Sequence, residues 1–438
     1  MHIFFVGEEI PFNGKSGSCI HGWAMVKYFL QVGHRITAFV NPPGWETEDR
    51  LEHIENLKKL GIEVVSLYVL EFKKPERSRM QRILHPQIGQ FYSTVYLKSD
   101  IRIIIERYID ELRPHIILAF GLPAIAATDA IKKIPRIAPI CEDPFILAYS
   151  RWRYASKSLI EFTRNFYVMI TAWRILKQIV KLHSQCQIYG QVDPTFVEKF
   201  KKMGASNCKY YKIPYLNQAE GSWQSLKENH SINKKKIKIT MIGMVGTATY
   251  MGLLQLSKIL PIIEKRIGKK CFEIHMIGNI TIPSEFKKGL SHPSIIIRGY
   301  VDNIDKDMFS TDILLVPTHV SVGARSRIIT GLSYGCCIVT TIYEKKSRPE
   351  LIHMENSLIA NSSKELIDLL ILAITDPGLR RRIGTNARLT YEKYFIPEVA
   401  VKEMENDMKK IIDDFNYPEN YFSAGHKKNR SIYKGKSS

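Results

Sequence analysis

Short apolar runs alternate with amphipathic stretches over the first half of the chain. The sequence opens with the apolar run Ile3–Val6, a turn cluster with Gly14 and Gly17, the helical pattern His21–Leu30 and a second run at Ile36–Val40. Such runs, bounded by turn residues, are typical of buried strands, and strands that alternate with helices predict βαβ units in a parallel sheet. Further strands are predicted at 62–70, 116–120, 137–140 and 187–189, and further helices at 101–112, 123–133 and 197–203.

The same alternation restarts after a polar segment in the middle of the chain. Residues 217–236 contain Gly221 and end in Lys234-Lys-Lys236, a composition typical of a linker. Strands are then predicted at 238–242, 272–277, 295–297, 313–316 and 337–341. We therefore predict a first domain at 1–216, a linker at 217–236, a second domain at 237–396, a helix at 397–416 that packs back on the first domain, and a disordered basic tail at 417–438.

The predicted fold class is α/β, with two doubly wound Rossmann-like domains that face a central cleft. Ligands of such sheets bind beyond the carboxyl ends of the strands, so the cleft is the expected site. The length of 438 residues suits two domains, and 45% hydrophobic residues with 24% charged residues excludes a disordered or coiled-coil chain.

Location is addressed by three features of the composition. No uncharged apolar run approaches the ~18–20 residues of a membrane span, and Met1–Gly7 reads as a strand rather than as a signal peptide. The seven cysteines are scattered and form no CxxC pair, which argues against a disulfide framework and a zinc site. We expect a cytoplasmic protein.

The chain is strongly basic, with 63 Lys and Arg against 43 acids and a formal charge of +20. Residues 151–183 concentrate this charge, because they hold seven bases, one acid and six aromatic residues. A basic, aromatic helix fits an anionic membrane surface, and the alternative is core aromatics with solvated lysines. No nucleic-acid-binding signature is present, so nucleic acid is not an expected partner.

An ordered series of motifs resembles the GT-B-fold glycosyltransferases, especially the family 4, or group 1, retaining enzymes. The first half matches more loosely, through Gly14-Lys-Ser-Gly17, Gly33-His-Arg-Ile36 and Arg113-Pro-His-Ile-Ile117. The second half matches in order and spacing, through Phe272–Gly278, Ile297–Val301, Thr311–Pro317, Thr330–Gly335, Pro349–Ile352, Glu355-Asn356 and Asp376–Arg380. The match covers nearly the whole chain.

The resemblance implies transfer of a sugar from a nucleotide-sugar donor to a glycan or lipid-linked acceptor, as in cell-surface polysaccharide synthesis. It also implies retention of configuration, no bound metal and no cofactor beyond the donor itself. The chain departs from the family at one motif. Two glutamates eight positions apart are usual there, and the corresponding stretch Val322–Thr330 has neither. The usual Arg and Lys after the first strand of the second domain are also missing, with Met244 and Met251 nearby.

The candidate donor-binding residues follow the strands of both domains. Gly17 opens a helix whose backbone N–H groups suit a phosphate. Arg325 and Arg327 are suited to a diphosphate, because guanidinium groups bind phosphate bidentately and stay charged. Thr330 takes the place of the second glutamate, which holds the nucleotide ribose in the family; its hydroxyl could still bind the ribose, with a helix-surface threonine as the alternative. The remaining candidates are Gly246, Gly323, Ser326 and Tyr300, of which the tyrosine either faces the nucleobase or is a core aromatic.

The candidate catalytic residues are Glu142, Asp143 and His21. The two acids end the predicted strand 137–140 and are interpreted as a base or as a stabiliser of an oxocarbenium-like transition state, with turn capping as the alternative. His21 lies on the helix after the glycine loop, where an ordinary helix-face histidine is the alternative.

Two other functional classes stay open at this point. A nucleotide-sugar epimerase of the same fold would need several acids in the cleft. A non-catalytic binding or scaffolding protein would explain the missing glutamate pair. Acceptor-dependent turnover, acceptor-free isomerisation or neither distinguishes the three.

Overall fold

A computed structural model describes the chain at residues 1–7, 17–40, 47–66, 98–139, 144–155, 158–216, 236–243, 247–268, 271–278, 280, 290–301, 303–320 and 326–422. Within these ranges strands and helices alternate as the sequence predicts, and every strand pairing is parallel.

The first sheet has seven strands in the order β3-β2-β1-β4-β5-β6-β7. Its central strands are continuous apolar runs with every residue buried, as expected when helices cover both faces of a parallel sheet. The strands are β1 (His2–Gly7), β2 (Arg35–Val40), β3 (Glu63–Ser66), β4 (Ile116–Phe120), β5 (Arg136–Ala138), β6 (Ile188–Gln191) and β7 (Cys208–Tyr210).

The second sheet has six strands in the order β10-β9-β8-β11-β12-β13. Counted from its own first strand, this is the doubly wound order 3-2-1-4-5-6, and the first sheet follows the same order with one strand added. The prediction of two Rossmann-like domains is therefore confirmed. The strands are β8 (Ile237–Ile242), β9 (Phe272–Ile277), β10 (Ile295–Gly299), β11 (Ile313–Val316), β12 (Cys337–Thr341) and β13 (Leu358–Ala360).

Helices cover both faces of each sheet and enclose its core. Seven of those described belong to the first half of the chain: α1 (Gly17–Gln31), α2 (Thr47–Lys59), α3 (Lys98–Leu112), α4 (Leu122–Thr128), α5 (Pro144–Ala155), α6 (Leu159–His183) and α7 (Pro194–Lys202). Seven others follow: α8 (Thr247–Ile267), α9 (Asp305–Phe309), α10 (Ser326–Ser333), α11 (Ile342–Ser347), α12 (Ser363–Thr375), α13 (Pro377–Tyr394) and α14 (Pro397–Asp414).

The basic, aromatic segment 151–183 covers the end of one helix and the whole of another. Helix α6 begins at the N-cap Ser158, whose side chain accepts a hydrogen bond from the backbone of Glu161. Helices α5 and α6 pack against each other around Ala148, Met169 and Ala172. None of the described helices is long and apolar enough to cross a membrane.

The last helix, α14, lies on the first domain although it follows the second domain in sequence. Val401, Met404 and Met408 of this helix are buried in one cluster with Met25 and Phe29 of α1. Helix α14 therefore connects the two domains, because it is continuous in sequence with the second domain and packs on the first.

The segment after α14 corrects the expected start of the tail. The hydroxyl of Tyr417 donates to the carbonyl of His115 at 2.6 Å, and that of Tyr421 to the carbonyl of Pro114 at 2.9 Å. Tyr421 is buried, so residues 417–422 belong to the folded protein. Aromatic side chains, which the basic composition of the tail obscured, fix this segment on the first domain. Residues 423–438 lie outside the described ranges.

Glu405 anchors α14 through a buried carboxylate. It accepts hydrogen bonds from the Tyr28 hydroxyl at 2.7 Å and from His34 Nε2 at 3.1 Å, and Lys409 Nζ lies 2.6 Å away. Burial opposes its charge, but the bonds from Lys409, Tyr28, Lys402 and His34 outweigh burial and hold the pKa of Glu405 well below its usual range. The carboxylate is therefore charged in the folded protein under most conditions.

We expect Glu405→Gln to destabilise the protein by about 2–4 kcal/mol at pH 7, because the buried hydrogen bonds lose their charged acceptor. A depressed folded pKa contributes stability above the pKa of the unfolded chain, and this contribution is lost as the pH falls below it. The difference in free energy of unfolding between wild type and variant, measured by urea unfolding, should therefore become smaller below about pH 4.5. Glu111→Gln, which breaks an exposed pair with Arg107, is the control and should cost under about 1 kcal/mol. An equal loss in both variants would contradict this role.

Candidate functional site

The carboxyl ends of β8 and β11 diverge at the point where the strand order of the second sheet reverses, which is where doubly wound folds bind ligands. Arg327, near the start of α10, reaches across this point. Its Nη1 lies 3.7 Å from the position that a Cβ atom would take on Gly243, directly after β8. A guanidinium group from the helix after β11 thus stands at the end of β8, where the resembled family usually has an arginine of its own.

At Gly278 the backbones approach each other so closely that only glycine fits, whereas Gly243 is crowded by the side chain of Thr249. A Cβ on Gly243 would lie 2.6 Å from Thr249 Oγ1, and a Cβ on Gly278, after β9, would lie 1.9 Å from the carbonyl oxygen of Gly243. Gly278 also has φ +113°, a conformation that side chains rarely adopt. We call the space beside Gly243, Gly278 and Arg327 the switch-point crevice.

Thr330 is buried on α10, so the alternative of a helix-surface threonine is wrong. Its Oγ1 donates to the carbonyl oxygen of Ser326 at 3.0 Å, one turn earlier. The hydroxyl of Tyr215, which follows the last strand of the first domain, lies close to it: burial raises the pKa of Tyr215 to about 12, and Thr330 opposes that rise. Ser326 and Thr330 therefore line the side of α10 that meets the first domain, and their contact with a donor stays a prediction.

Tyr300 and Gly17 both lie beyond carboxyl ends of strands. Tyr300 follows β10 and is 53% exposed, so the alternative of a core aromatic is wrong. Gly17 is the first residue of α1, which follows β1. The N-terminus of a helix of this length carries partial positive charge, so its position suits the predicted contact with a phosphate.

His21 is buried at the junction of the two domains. Its Nδ1 lies 3.0 Å from the carbonyl oxygen of Pro214, in the segment that leaves the first sheet. Burial, together with the nearby Arg348, lowers the pKa of His21 to about 4, although the contact with the Pro214 carbonyl raises it. The imidazole is therefore neutral near pH 7, with Nδ1 as donor and Nε2 holding the lone pair.

The other predicted site residues lie outside the described ranges. They are Glu142 and Asp143 between β5 and α5, Gly246 between β8 and α8, and Gly323 and Arg325 between β11 and α10. Their roles stay predictions.

A buried carboxylate at the same edge of the second sheet was not among the predicted residues. Glu344 of α11 is fully buried, and its Oε1 accepts a hydrogen bond from the Thr318 hydroxyl. The carbonyl of Thr318 accepts in turn from the hydroxyl of Thr341. These bonds tie the ends of β11 and β12 together. In the sequence, Glu344 stands before two lysines and resembles a solvated charge, so only its position after β12 pointed to this site.

A second set of missed residues joins the domains beside the cleft. Arg348 is buried and donates to the carbonyl of Val192, and Ser347 Oγ donates to Asp193 Oδ2 at 2.7 Å. Tyr210 donates to Glu350 Oε1 at 3.0 Å. The ends of β6 and β7 in the first domain thus contact α11 and the residues after it in the second. These contacts bring the carboxyl edges of both sheets to one cleft.

No group of three or more His, Cys, Asp or Glu side chains that could hold a metal ion occurs within the described ranges. The cationic group that the structure places in the switch-point crevice is the Arg327 guanidinium.

Solved structures with the same two-domain architecture cover nearly the whole chain. HepE from Anabaena, solved with UDP-glucose, superposes with a TM-score of 0.61 at 12% identity, over 94% of this chain and 100% of that one. Sucrose-phosphate synthase from Thermosynechococcus elongatus gives a TM-score of 0.64 at 9% identity, over 94% of this chain and 100% of that one. A point mutant of TarM from S. aureus, solved with fondaparinux, α-GlcNAc-glycerol and UDP, gives a TM-score of 0.62 at 9% identity, over 93% of this chain and 99% of that one.

Sequence comparison gives no corresponding relative, since neither a family model nor a curated protein matches the chain. The fold is nevertheless settled, because these neighbours are glycosyltransferases of the GT-B type and are covered from end to end. Together with the doubly wound order of both sheets and the contacts beside the cleft, this shows that the chain has the GT-B fold.

Proposed function

We propose that the protein is a glycosyltransferase that moves a sugar from a nucleotide-sugar donor to a glycan or lipid-linked acceptor. The observation that carries this proposal is the Arg327 guanidinium beside Gly243, at the switch point of the second domain. HepE, which shares the fold, is solved with UDP and with UDP-glucose, a ligand whose diphosphate suits such a group.

The leaving group sets the chemical demand on this site. When the glycosidic bond of the donor breaks, the nucleoside diphosphate takes up negative charge, and groups that are positive beforehand stabilise that charge. Arg327, with Arg325 two positions earlier in the sequence, would supply this positive charge, and the backbone of Gly17 would contribute from the first domain. Gly246, Gly323, Ser326, Thr330 and Tyr300 complete the proposed donor site. In this proposal transfer uses no metal ion and no further cofactor, and it retains the anomeric configuration.

The acceptor side of the reaction is assigned to the first domain. Glu142 or Asp143 would face the sugar, as a base or as a stabiliser of the positive charge on the ring. His21, neutral near pH 7, would act through its Nε2 lone pair. Closure of the cleft over the donor would exclude water and suppress hydrolysis.

The biological setting is proposed as cell-surface polysaccharide synthesis on the cytoplasmic side of the membrane, with the enzyme bound peripherally. One structural neighbour, WaaG, is a glycosyltransferase involved in lipopolysaccharide biosynthesis. The basic, aromatic segment 151–183 supports the same setting, because it would bring the enzyme to an anionic leaflet that holds lipid-linked acceptors.

The proposal is tested by release of nucleoside diphosphate. Purified protein is incubated with each common UDP-, GDP- and ADP-sugar, with and without lipid-linked or glycerol-type acceptors, while thermal shifts report binding. A nucleoside diphosphate at 100 times its Kd should stabilise the native state by roughly 2.7 kcal/mol. We expect acceptor-dependent release for one donor class, and a lack of binding and release throughout would refute the proposal.

A non-catalytic binding role is the second candidate, and the missing acids favour it. Val322–Thr330 has no carboxylate, and the Thr330 hydroxyl is held by the carbonyl of Ser326. Nucleotide-sugar binding without turnover would support this role, whereas acceptor-free conversion of the sugar would indicate an epimerase.

A further inference from the structure

The first half of α6 exposes apolar side chains that a water-soluble helix would bury. Leu159 is 78% exposed and Ile160 is 80% exposed, and both belong to the first turn of the helix. Five more large apolar residues that follow within the next four turns are also exposed: Phe162, Phe166, Tyr167, Ile170 and Trp173. Such contiguous apolar surface marks an interaction site.

The second half of the same helix is anchored and basic. Ile175, Leu176, Ile179 and Val180 are buried in the core of the first domain. On the exposed side the apolar residues give way to Arg174, Lys177 and Lys181, all exposed. At 3.6 residues per turn, Lys177 and Lys181 fall on the same side of α6 as Phe166 and Ile170. The exposed side is thus apolar at its start and basic toward its end.

Aromatic packing holds the exposed half of α6 on α5. The ring of Trp152 lies 5.3 Å from that of Phe162 and 5.5 Å from that of Phe166, and Phe145 packs edge-on against Trp173 at 5.2 Å. Helix α5 also contacts α8 of the second domain. The hairpin of α5 and α6 is therefore packed into the folded protein beside the cleft.

We propose that the exposed side of α6, from Leu159 to Lys181, docks on an anionic lipid surface. Leu159, Ile160 and the aromatic rings enter the acyl boundary, and Arg174, Lys177 and Lys181 contact lipid phosphates. The positive charge of this surface favours an anionic lipid over a second copy of the chain. Glu161 is the single acid between residues 144 and 183, so a second copy of the chain would set bases against bases. The inference deepens the proposed function, because it places the cleft of the transferase at the surface where a lipid-linked acceptor lies.

The test is co-sedimentation with vesicles of phosphatidylcholine containing 0 to 40% phosphatidylglycerol. Binding of the full chain should rise with phosphatidylglycerol and fall at 0.5 M salt, as charges are screened. Leu159→Ser with Ile160→Ser should reduce partitioning at least about tenfold. Arg174→Gln with Lys181→Gln should reduce it by roughly 10- to 30-fold.

Matched variants separate docking from folding and from general charge. Ile103→Ser alters an apolar residue that is 59% exposed on α3, and Lys58→Gln with Lys59→Gln removes two exposed bases from α2. Both controls should bind vesicles as the wild type does, and every variant should keep the wild-type unfolding midpoint. Equal losses in test and control variants would overturn the proposal, as would a wild type that stays in the supernatant.

Two further readouts make the outcomes distinct. A second copy of the chain is the alternative occupant, and sedimentation velocity tests it. If the wild type forms concentration-dependent dimers but does not bind vesicles, and if the variant with Leu159→Ser and Ile160→Ser stays monomeric, the lipid proposal is overturned. Nucleoside diphosphate binding in solution should be unchanged in the α6 variants. If nucleotide binding fails in the wild type while vesicle binding persists, the proposed transferase function fails and the docking surface stands.

Discussion

Arg327→Ala should weaken binding of the nucleoside diphosphate by roughly 10- to 150-fold, the equivalent of about 1.5–3 kcal/mol for a lost charge-assisted hydrogen bond. The guanidinium stands at the end of β8, 3.7 Å from the Cβ position of Gly243, where a diphosphate at the switch point would lie. Arg327→Lys should recover part of the affinity, since an ammonium is a point charge without the bidentate fork. Titration calorimetry with the free nucleoside diphosphate measures both variants.

Turnover should fall further than binding in the same variant. Charge on the diphosphate increases as the glycosidic bond breaks, so the guanidinium stabilises the transition state more than the bound donor. The control is Arg266→Ala, which removes an exposed arginine paired with Asp368 at the end of α8. Unchanged affinity and turnover in Arg327→Ala, or a loss of the same size in the control, would move Arg327 out of the donor site.

The architecture could be predicted from the sequence because its signals are local. Runs such as Ile116–Phe120 and Ile313–Val316 are apolar throughout, and turn residues bound them, so strand positions follow from composition alone. β7 and β13 were not predicted because each has three residues and, unlike β5, neither belongs to a longer apolar run such as 137–140. The parallel order then follows from the alternation with helices.

The site was predicted in part, and the missing part has a physical reason. Arg327 was identifiable because two arginines follow a strand near the start of a helix. Its contact with Gly243, 84 positions earlier, depends on the fold. Glu344 and Arg348 were not predicted as site residues, because the sequence of a polar stretch such as Tyr343–Arg348 does not distinguish a buried charged residue from a solvated one. Their burial is set by Thr318 and Val192, which the chain brings near only when folded.

The domain junction links this geometry to function. His21, Tyr215 and Arg348 are all buried where the first domain meets the second. Tyr215 bonds through its backbone N–H to the carbonyl of Phe395 at 2.9 Å, and its carbonyl accepts from the Tyr391 hydroxyl at 2.9 Å. These bonds limit how the domains can shift around a donor.

Gly278→Ala should destabilise the second domain by about 4 kcal/mol or more and abolish nucleotide binding. The new methyl group would lie 1.9 Å from the carbonyl oxygen of Gly243, a backbone atom that cannot rotate away, and φ is +113°. The ends of β8 and β9 must therefore separate, which costs a clash and a strained conformation together. Urea unfolding followed by far-UV circular dichroism measures the loss, because the second domain contains no tryptophan, and calorimetry measures nucleotide binding.

Two other glycines of the second domain separate these causes. Gly268 has φ +83° with nothing within 4 Å of a Cβ, so Gly268→Ala tests strain alone and should cost about 1–2 kcal/mol without effect on nucleotide affinity. Gly252 lies inside α8, where a Cβ would make ordinary contact with Met241 at 3.5 Å, so Gly252→Ala should be neutral or slightly stabilising. If Gly278→Ala behaves like Gly268→Ala, the ends of β8 and β9 can move apart at little cost. The close backbone approach would then not be what shapes the switch-point crevice.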